Sequence, residues 1–309
     1  MAHNVVILGV FAGDATFKAA RLPILGETLL GDGFSLGPGG KGSNQAIAAA
    51  KAGADTAFIT RLGDDAFAAL SYETWKAAGV TPLVRTMPDE ATGAAFIFLE
   101  QGTGQNAIIV CPGAATGIAA DDMDAQAEAI SGAKVFVAQL EQPLEAAQRG
   151  LEIARAAGVT TILNPAPARA LPDEVLQLCD LLTPNESETE ILTGLPVRTI
   201  EEAETAARAL QARGPKNIIL TLGENGALWY DGEHMRMIEP MHAGDTVDTT
   251  GAGDAFNGGL ATALAEGRPL DDSLQFATAV AAISVTRRGA GQAMPSRAEV
   301  EALLAKKSL

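Results

Sequence analysis

Short apolar runs alternate with helical stretches along most of the chain. Runs typical of buried strands lie at 5–10, 56–61, 135–141, 160–163, 181–186 and 217–223. Stretches with the spacing of a helix lie at 46–53, 64–78, 120–130, 144–157, 201–212 and 270–286. Because strands that alternate with helices form parallel βαβ units, the pattern predicts an α/β fold with a doubly wound, mostly parallel sheet flanked by helices.

Two segments interrupt this alternation. Across residues 15–36, a proline and three glycines divide the chain into short strands instead of a helix. A hairpin is predicted from the apolar runs 94–99 and 107–111, with a turn at 102–105 between them. These segments predict a small accessory sheet, separate from the main one. The sequence contains no linker or internal repeat, so we expect one domain over residues 1–309 with this sheet as an insertion.

Polar residues or glycine follow several predicted strands at the point where each strand ends. These residues are Asp14, Glu141, Asn164, Asn185 and Gly223. In doubly wound sheets, ligands bind beyond the carboxyl ends of the strands. The sequence therefore predicts a ligand-binding site at this edge of the sheet.

The chain is acidic. Its 309 residues carry a formal net charge of −16 at pH 7, which argues against a nucleic-acid or anionic-membrane surface. A phosphate-bearing ligand remains compatible with this charge, since backbone amides bind phosphate locally. The apolar run at 5–10 is too short for a signal peptide and follows no basic segment, and no run reaches membrane length. We therefore expect a cytoplasmic protein without nucleic-acid or membrane partners.

The cysteines and histidines show no spacing typical of a metal site or a catalytic triad. Cys111 and Cys179 lie in apolar sequence surroundings, so we expect reduced thiols in the core. His3, His234 and His242 are each expected at the surface.

A glycine-rich stretch opens the predicted helix at 46–53 and has the sequence Gly37-Pro38-Gly39-Gly40-Lys41-Gly42-Ser43-Asn44-Gln45. Its spacing matches G-x-G-x-x-G, but it does not follow a clean hydrophobic strand, as that dinucleotide motif requires. It is not a Walker loop either, because Gly42 stands where Ser or Thr is needed. The stretch is typical of an amide-rich cradle with one cation, which suits a polyhydroxy ligand.

A second glycine-rich stretch has the sequence Asp248-Thr249-Thr250-Gly251-Ala252-Gly253-Asp254-Ala255-Phe256-Asn257-Gly258-Gly259. It predicts a loop that runs into a helix of small residues. The first amides of a helix lack internal partners, and the helix dipole attracts anions to them. A carboxylate at Asp254 is unexpected in a site that only binds phosphate. It is expected in a site where a base removes a proton from a hydroxyl that attacks phosphorus. The alternative is that Asp254 only caps the helix.

Three classes of function are compatible with these two stretches. A small-molecule kinase uses both of them. A nicotinamide oxidoreductase would use the glycines at 37–42 and needs an acid that ends a strand, whereas Asp64 follows Gly63 and begins a helix. A non-catalytic sugar-binding protein would need no base at Asp254. The sequence therefore favours the kinase.

The two stretches resemble the signatures of the ribokinase family of sugar kinases, also called the PfkB carbohydrate kinases. Residues 39–46 resemble its first signature and residues 248–256 its second. Further motifs similar to that family lie at 139–143, 163–168, 183–188 and 221–226. The resemblance runs from about residue 5 to the last helix. It implies ATP-dependent phosphorylation of a sugar's primary hydroxyl, first of all D-ribose to ribose 5-phosphate, with another pentose, a ketohexose or a nucleoside as the alternative substrate.

The resemblance also implies roles for individual residues. Asp254 is expected as the general base, with an anion hole at the amides of Gly251, Ala252 and Gly253. Sugar contacts are expected at Ala12, Asp14, Gly40, Lys41, Gly42, Ser43, Asn44, Glu141 and Asp254. ATP contacts are expected at Asn185, Thr221, Leu222, Gly223, Glu224, Asn225, Gly226, Gly253 and Thr278. Metal contacts are expected at Glu188 for Mg²⁺ and at Asp248, Thr250, Ser284, Arg287 and Gly289 for K⁺.

The resemblance further implies that the accessory sheet is a lid, formed by about 11–38 and 92–112, through which a homodimer forms. Three positions depart from the family's pattern. Ala12 and Ala115 each stand where the family has asparagine, and Ala293 stands where it has a serine beside the K⁺ site. We therefore expect looser selectivity at one sugar hydroxyl and a weaker dependence on K⁺.

Overall fold

The strands of the protein fall into two separate sheets. The computed structural model describes residues 3–103 and 105–307, so the ends of the predicted domain 1–309 and part of the predicted turn at 102–105 lie outside the described residues. The strands, in chain order, are β1 (Val5–Leu8), β2 (Ala12–Ala19), β3 (Gly33–Gly39), β4 (Thr56–Leu62), β5 (Val80–Thr86), β6 (Gly93–Glu100), β7 (Asn106–Cys111), β8 (Val135–Ala138), β9 (Thr160–Leu163), β10 (Leu181–Leu182), β11 (Asn217–Thr221), β12 (Ala227–Tyr230) and β13 (Met235–Ile238). The helices are α1 (Lys41–Lys51), α2 (Ala66–Ala78), α3 (Ala120–Ala125), α4 (Ala127–Ser131), α5 (Leu144–Ala156), α6 (Asp173–Leu176), α7 (Glu186–Thr193), α8 (Ile200–Gln211), α9 (Ala252–Ala265), α10 (Leu270–Ser284) and α11 (Arg297–Lys307).

The larger sheet has the strand order β13-β12-β11-β10-β9-β8-β1-β4-β5. Its pairs are parallel except for β11 with β12 and β12 with β13. Strand β1 pairs with β4 on one side and with β8 on the other, so the direction of winding reverses beside β1. In such a sheet the crevice beyond the carboxyl ends at the reversal point receives the ligand. The predicted doubly wound, mostly parallel α/β sheet is confirmed.

Side chains of β1 alternate between two apolar layers, one on each face of the sheet. Val6 and Leu8 belong to one buried cluster, and Val5 and Ile7 belong to the other. Helices α5 and α8 cover the first layer, and α1, α9 and α10 cover the second. Burial on both faces is typical of parallel strands and gives a rigid base for residues at the strand ends. Of the helices in the described chain, none is both long and apolar enough to span a bilayer.

Glycines bring α1 and α9 close to the sheet and to each other. A Cβ atom on Gly42 would lie 2.6 Å from the Cα atom of Gly9, just after β1. A Cβ atom on Gly258 would lie 2.5 Å from the Cβ atom of Ala48 and 2.7 Å from the carbonyl oxygen of Gln45. The small residues predicted from the sequence therefore let the first turns of both helices meet at the same edge of the sheet.

The smaller sheet has the order β3-β2-β6-β7 and contains the predicted accessory strands. Strand β2 pairs antiparallel with β3 and parallel with β6. Several large apolar side chains of this sheet are exposed, namely Phe17, Phe34, Phe96, Ile108, Ile109 and Val110. The Phe17 ring lies 4.9 Å from the Phe34 ring and 5.7 Å from the Phe96 ring, measured between centroids. By strand register, Phe17, Phe34, Phe96 and Ile109 share one face of the small sheet, whereas Ile108 and Val110 lie on the other. The small sheet therefore presents an exposed apolar cluster on the face that holds Phe17.

Some elements differ from the sequence prediction. Helix α1 begins at Lys41 instead of residue 46, so half of the first glycine-rich stretch forms its first turns. The helix predicted at 120–130 is divided into α3 and α4 at Gln126. Five elements were not predicted, namely β5, α6, α7, β12 and β13. Each is short, or lies at a sheet edge where one face is solvated, so its apolar pattern is weak.

Three side chains lie elsewhere than predicted. Cys111 is exposed, because it ends β7 at the edge of the small sheet, whereas Cys179 is buried as predicted. His3 is only partly exposed, and its Nδ1 lies 2.8 Å from the Asp55 carboxylate. Asp14 lies within β2 of the small sheet, not at the end of a strand of the large sheet.

Candidate active site

Helix α9 begins at the carboxyl edge of the large sheet with a glycine in a left-handed conformation. Gly251 is its N-cap with φ of 76°, and no side chain of the described residues caps this helix start. Apart from its chain neighbours and the backbone of its own helix, a Cβ atom on Gly253 would meet no described atom within 4 Å, so packing does not require glycine there. The N–H of Ala252, one of the predicted anion-hole amides, donates to the Thr249 carbonyl at 3.1 Å. The open part of this first turn is therefore at Gly253.

Asp254 lies in the first turn of α9 with only 5 % of its surface exposed. Its carboxylate accepts hydrogen bonds from two amide side chains of α1, from Asn44 Nδ2 to Oδ2 at 3.0 Å and from Gln45 Nε2 to Oδ1 at 3.1 Å. Burial raises the pKa of Asp254, while the charge of Lys41 and these two hydrogen bonds oppose the rise. The carboxylate is thus held in one orientation, in surroundings that make it a stronger base than an exposed aspartate.

Helix α1 begins at the same edge, again with a glycine. Gly40 is its N-cap with φ of 90°. The backbone N–H of Lys41 donates to Glu141 Oε2 at 2.7 Å, so an acid from the loop after β8 caps α1. Burial raises the pKa of Glu141 to about 7; the hydrogen bond and charge of Lys41 oppose this, and the charges of Asp254 and Asp14 add to it. These groups therefore lie close enough to influence one another.

Strand β2 of the small sheet contributes the remaining acid. A Cβ atom on Gly39 would overlap the Asp14 carboxylate, so glycine at the end of β3 makes room for it. Burial raises the pKa of Asp14 to about 6. Ala12 lies two residues earlier in β2, is buried, and pairs with Gly39 and Gly93. The small sheet thus adds a carboxylate to the acids beside Lys41, but no amide side chain at position 12.

Two residues that were predicted to contact sugar face the protein interior. Gly42 packs against Gly9 at the end of β1. Ser43 Oγ accepts a hydrogen bond from Trp75 Nε1 at 2.9 Å, and the Ser43 N–H donates to the Val10 carbonyl at 3.2 Å. Both residues therefore position the start of α1.

Helix α7 begins with Asn185, one of the residues predicted to bind ATP. The Asn185 Oδ1 accepts from the Glu188 N–H at 2.8 Å, and Glu188 Oε2 accepts from the Asn185 N–H at 2.9 Å, which forms a capping box. Burial raises the pKa of Glu188, and the charges of Lys41 and Asp254 also act on it. In the part of the chain that is described, no three His, Cys, Asp or Glu side chains are grouped to hold a metal ion.

The predicted ATP-binding turn follows β11 and adjoins α7. The N–H of Thr221 donates to the Pro184 carbonyl at 2.9 Å, just before α7 begins. Residues Gly223–Asn225 form a 3₁₀ turn, and Gly226 follows with φ of 85°. Thr278 lies in α10, where its hydroxyl donates to a carbonyl of the same helix at 2.8 Å. The turn is thus fixed against α7, while the Thr278 hydroxyl is used within α10.

Three of the residues predicted for the K⁺ site, Asp248, Thr250 and Gly289, come together from two loops. Asp248 Oδ1 accepts from the Thr250 N–H, and its Oδ2 accepts from the Gly289 N–H, both at 2.9 Å. Partial burial acts to raise the pKa of Asp248, but these hydrogen bonds outweigh it, and the pKa lies below its ordinary value. The carbonyl of Ser284 accepts from the Arg287 N–H at 3.2 Å. The loop before α9 is therefore tied to the loop after α10.

Sequence analysis missed a chain of buried amide side chains that leads to Asp254. Gln139 Nε2 donates to Gln45 Oε1 at 2.6 Å, Gln45 Nε2 donates to Asn164 Oδ1 at 3.1 Å, and Asn164 Nδ2 donates to the Thr183 carbonyl at 3.0 Å. Their positions in the sequence could have indicated these residues, since Gln139, Asn164 and Thr183 are each the first residue after a buried strand. Only Asn164 was singled out from the sequence.

Comparison with known proteins agrees with this arrangement. Residues 2–297 match the pfkB family carbohydrate kinases. A ribokinase of Haemophilus influenzae is 38 % identical over 301 residues, which cover 97 % of this chain and 97 % of that protein. A deoxyribokinase of Salmonella typhimurium is 37 % identical over 295 residues, covering 95 % of this chain and 96 % of that protein. The structure of Arabidopsis thaliana ribokinase complexed with ribose and ATP matches with a TM-score of 0.93 and 35 % identity, over 98 % of this chain and 99 % of that one. Since these matches span both glycine-rich stretches, the chain belongs to the pfkB family of carbohydrate kinases.

Proposed function

We propose that this protein transfers the terminal phosphoryl group of ATP to the primary hydroxyl of D-ribose, giving ribose 5-phosphate. The observation that carries the proposal is the buried Asp254 carboxylate at an uncapped helix start, held by Asn44 and Gln45 from the neighbouring α1. The ribokinase of Arabidopsis thaliana, solved with ribose and ATP, supports the choice of both substrates.

In the proposed reaction, Asp254 accepts the proton of the sugar's primary hydroxyl as that oxygen bonds to the γ-phosphorus. The bond from that phosphorus to the bridging oxygen breaks, and ADP leaves with the electron pair. The N–H of Gly253 and the positive end of α9 stabilise the charge of the transferring group. Asp14, Lys41, Asn44 and Glu141 bind the sugar hydroxyls. Most of the rate then comes from positioning and charge stabilisation.

On the nucleotide side, we propose that the start of α7 at Asn185 and the turn at 221–226 hold ATP. Glu188 is the acid that fits Mg²⁺, because it lies near enough to Asp254 for that charge to act on its pKa, and magnesium needs few protein ligands beside phosphate and water. When bound, Mg²⁺ would neutralise charge on the phosphates. Asp248, with an ionised carboxylate and neighbouring carbonyls, fits a monovalent cation that holds the loop before α9.

We also propose that the small sheet closes over the sugar and forms a homodimer interface in the cytoplasm. Its Asp14 belongs to the proposed sugar site, and its exposed apolar side chains are of the kind that interfaces cover. Sedimentation should therefore give a dimer, and Phe34→Glu, at a 62 % exposed position, should shift it to a monomer. A wild-type monomer at micromolar concentration would contradict this part of the proposal.

A second candidate substrate is 2-deoxyribose, or another sugar whose hydroxyl groups make one hydrogen bond fewer to the protein than those of ribose. Ala12 supplies no amide where the ribokinase pattern has one, and a deoxyribokinase is nearly as similar to this chain as the ribokinase is. A site that hydrogen-bonds a hydroxyl rejects sugars lacking it, whereas an apolar residue discriminates weakly. We therefore expect ribose to be preferred, with only modest rejection of 2-deoxyribose.

The test is an ADP-release assay with D-ribose, 2-deoxy-D-ribose, D-fructose and adenosine. Ala12→Asn should tighten ribose binding about fivefold and sharpen rejection of 2-deoxyribose, since one hydrogen bond contributes about 1 kcal/mol. Ala19→Asn, at the other buried end of β2, is the matched control. Good turnover of fructose or adenosine without ribose would leave a kinase but overturn the ribose assignment. Loss of ribose use in Ala12→Asn would favour the second candidate.

A further inference from the structure

Two successive hydrogen bonds of the buried amide chain lead to the carboxylate. Gln139 donates to Gln45, and Gln45 donates in turn to Asp254 and to Asn164. None of these four side chains has more than 6 % of its surface exposed. Water therefore does not compete for these bonds, and each is stronger in this interior than it would be in solvent.

The orientation of the Gln45 amide is fixed by its neighbours. Its nitrogen donates to Asp254 Oδ1 and to Asn164 Oδ1, both at 3.1 Å, and its oxygen accepts from Gln139. The reverse orientation would place the Gln45 oxygen against two acceptors and its nitrogen against the Gln139 donor. Asn164 presents its oxygen because its own nitrogen donates to the Thr183 carbonyl.

The same set of side chains reaches α9 at a second point. Thr183 Oγ1 donates to Asn257 Oδ1 at 2.7 Å, and Asn257 Nδ2 donates to the Gly253 carbonyl at 2.9 Å. The carboxylate of Asp254 is therefore linked through Gln45, and the carbonyl of the residue before it through Asn257, to side chains that follow buried strands. This anchoring sets the position of the first turn of α9 relative to the sheet.

We propose that Gln45 is a positioning residue for Asp254, and that Gln139 acts through Gln45 by fixing the direction of its amide. This inference rests on the proposed function, in which Asp254 is the base. Asn44 binds one carboxylate oxygen and Gln45 the other, so the plane of the carboxylate is set before any sugar arrives. Such preorganisation lowers the cost of reaching the reactive geometry, and a donor at Oδ1 keeps the carboxylate in its ionised, basic form.

The experiment replaces the donor and keeps the shape of the side chain. Gln45→Met should lower turnover at least about tenfold, because a hydrogen bond to a charged group is worth a factor of ten or more. The KM for ribose should change little, and the acidic limb of the pH–rate profile should move to higher pH, because the ionised carboxylate loses a donor. Gln139→Met should give a smaller change in the same direction.

Thr262→Val is the matched control for a purely structural effect. Thr262 is buried in α9, and its hydroxyl lies 2.9 Å from the Gly258 carbonyl of its own helix and 3.1 Å from the Ala49 carbonyl of α1, so it contacts the same two helices away from the carboxylate. We expect Thr262→Val to lower the melting temperature but to leave both turnover and the pH–rate profile unchanged. A shift of the profile in Thr262→Val as large as in Gln45→Met would overturn the inference.

A double variant tests whether Gln45 acts through Asp254. In an Asp254→Asn background, Gln45→Met should cost little further turnover, because residues that act together are not additive. Wild-type turnover and pH profile in a folded Gln45→Met protein, or in Gln139→Met if the first does not fold, would overturn this inference alone. Wild-type turnover in Asp254→Asn would overturn the proposed function, and this inference with it.

Discussion

Helices α9 and α7 begin at the same edge of the large sheet in opposite ways. Helix α7 begins with Asn185, and the side chains of Asn185 and Glu188 accept from each other's backbone N–H groups. Helix α9 begins with Gly251, and in the described chain no side chain caps it. A capped start stabilises its own helix, whereas an uncapped start keeps amides available for an anion.

The two acids near these helix starts, Glu188 and Asp254, also differ in their hydrogen-bond partners. Glu188 directs an oxygen to the backbone of its own helix, at 2.9 Å from the Asn185 N–H. Asp254 instead directs both of its oxygens to side chains of α1. The acid of α7 therefore stabilises a local structure, while the acid of α9 depends on a second helix and remains suited to chemistry. Four predictions test or extend this difference.

The largest effect is expected at Asp254. Asp254→Asn should lower turnover at least ~10²-fold, the usual contribution of a positioned general base, and leave ATP and ribose binding within a few-fold of wild type. ADP release and calorimetric titration measure the two properties. Asp272→Asn, an exposed acid in the first turn of α10, is the control and should be fully active. A rate near wild type in Asp254→Asn would remove the base assignment.

The open start of α9 is tested at Gly253. Gly253→Ala should raise stability by about 0.5–1 kcal/mol, because alanine favours a helix and its Cβ has room. Turnover should fall at least about tenfold, since the methyl group enters the space proposed for the phosphoryl group and small displacements are costly. Thermal unfolding and ADP release measure the two effects.

Two other variants serve as comparisons for Gly253→Ala. Gly258→Ala should lower stability, because its Cβ would overlap Ala48 in the contact between α9 and α1. At the capped start of α7, Asn185→Ala should lower stability by about 1 kcal/mol. Full activity of Gly253→Ala would show that the phosphoryl group does not approach this amide.

The start of helix α1 is intermediate between those of α9 and α7. Like α9 it begins with a glycine, but Glu141 from another element caps it. Burial raises the pKa of Glu141 from 4.5 to about 7. The fold therefore favours the protonated acid, and this contribution to stability is complete below pH 4.5 and is lost as the pH rises through about 7. Glu141→Gln should lose less stability than wild type between pH 5 and 8, by on the order of 2 kcal/mol.

The melting temperature across that pH range measures this effect. Glu145→Gln, at an exposed position in α5, is the control and should follow the wild-type curve. The same slope in wild type and Glu141→Gln would contradict the assignment of Glu141 as a buried, proton-binding cap.

The smallest effect is expected at the loop before α9. K⁺ should raise activity relative to Na⁺ modestly, because Asp248 ties this loop to Gly289 while Ala293 offers no hydroxyl. Ala293→Ser should strengthen the dependence, and Ala282→Ser in α10 should not. Activity that is indifferent to K⁺ in wild type and in Ala293→Ser alike would show that the uncapped helix start does not depend on a cation.

Local patterns in the sequence were sufficient for the framework of the site. The period of apolar residues predicted the parallel sheet, because burial on both faces leaves an unbroken apolar run in each strand. The two glycine-rich stretches indicated that a helix follows each of them, although the first of these helices begins at Lys41 and not at the predicted residue 46. Strands β12 and β13 escaped prediction because each has only four residues, and β13 is also half-solvated at the edge of the sheet, so there is little pattern to detect.

Only the tertiary structure decided which polar side chains meet. Gln45 and Asp254 are 209 positions apart, and nothing local to either residue indicates the hydrogen bond between them. The same holds for the exposure of Cys111, which follows from the place of β7 at the edge of its sheet. Sequence period fixes which face of an element is buried, whereas the partner of a buried polar group is fixed by packing between distant elements. For this protein, the sequence by itself determined the sheet and the two glycine-rich stretches that lead into helices, and packing determined where α1 begins and which side chains hold Asp254 in place.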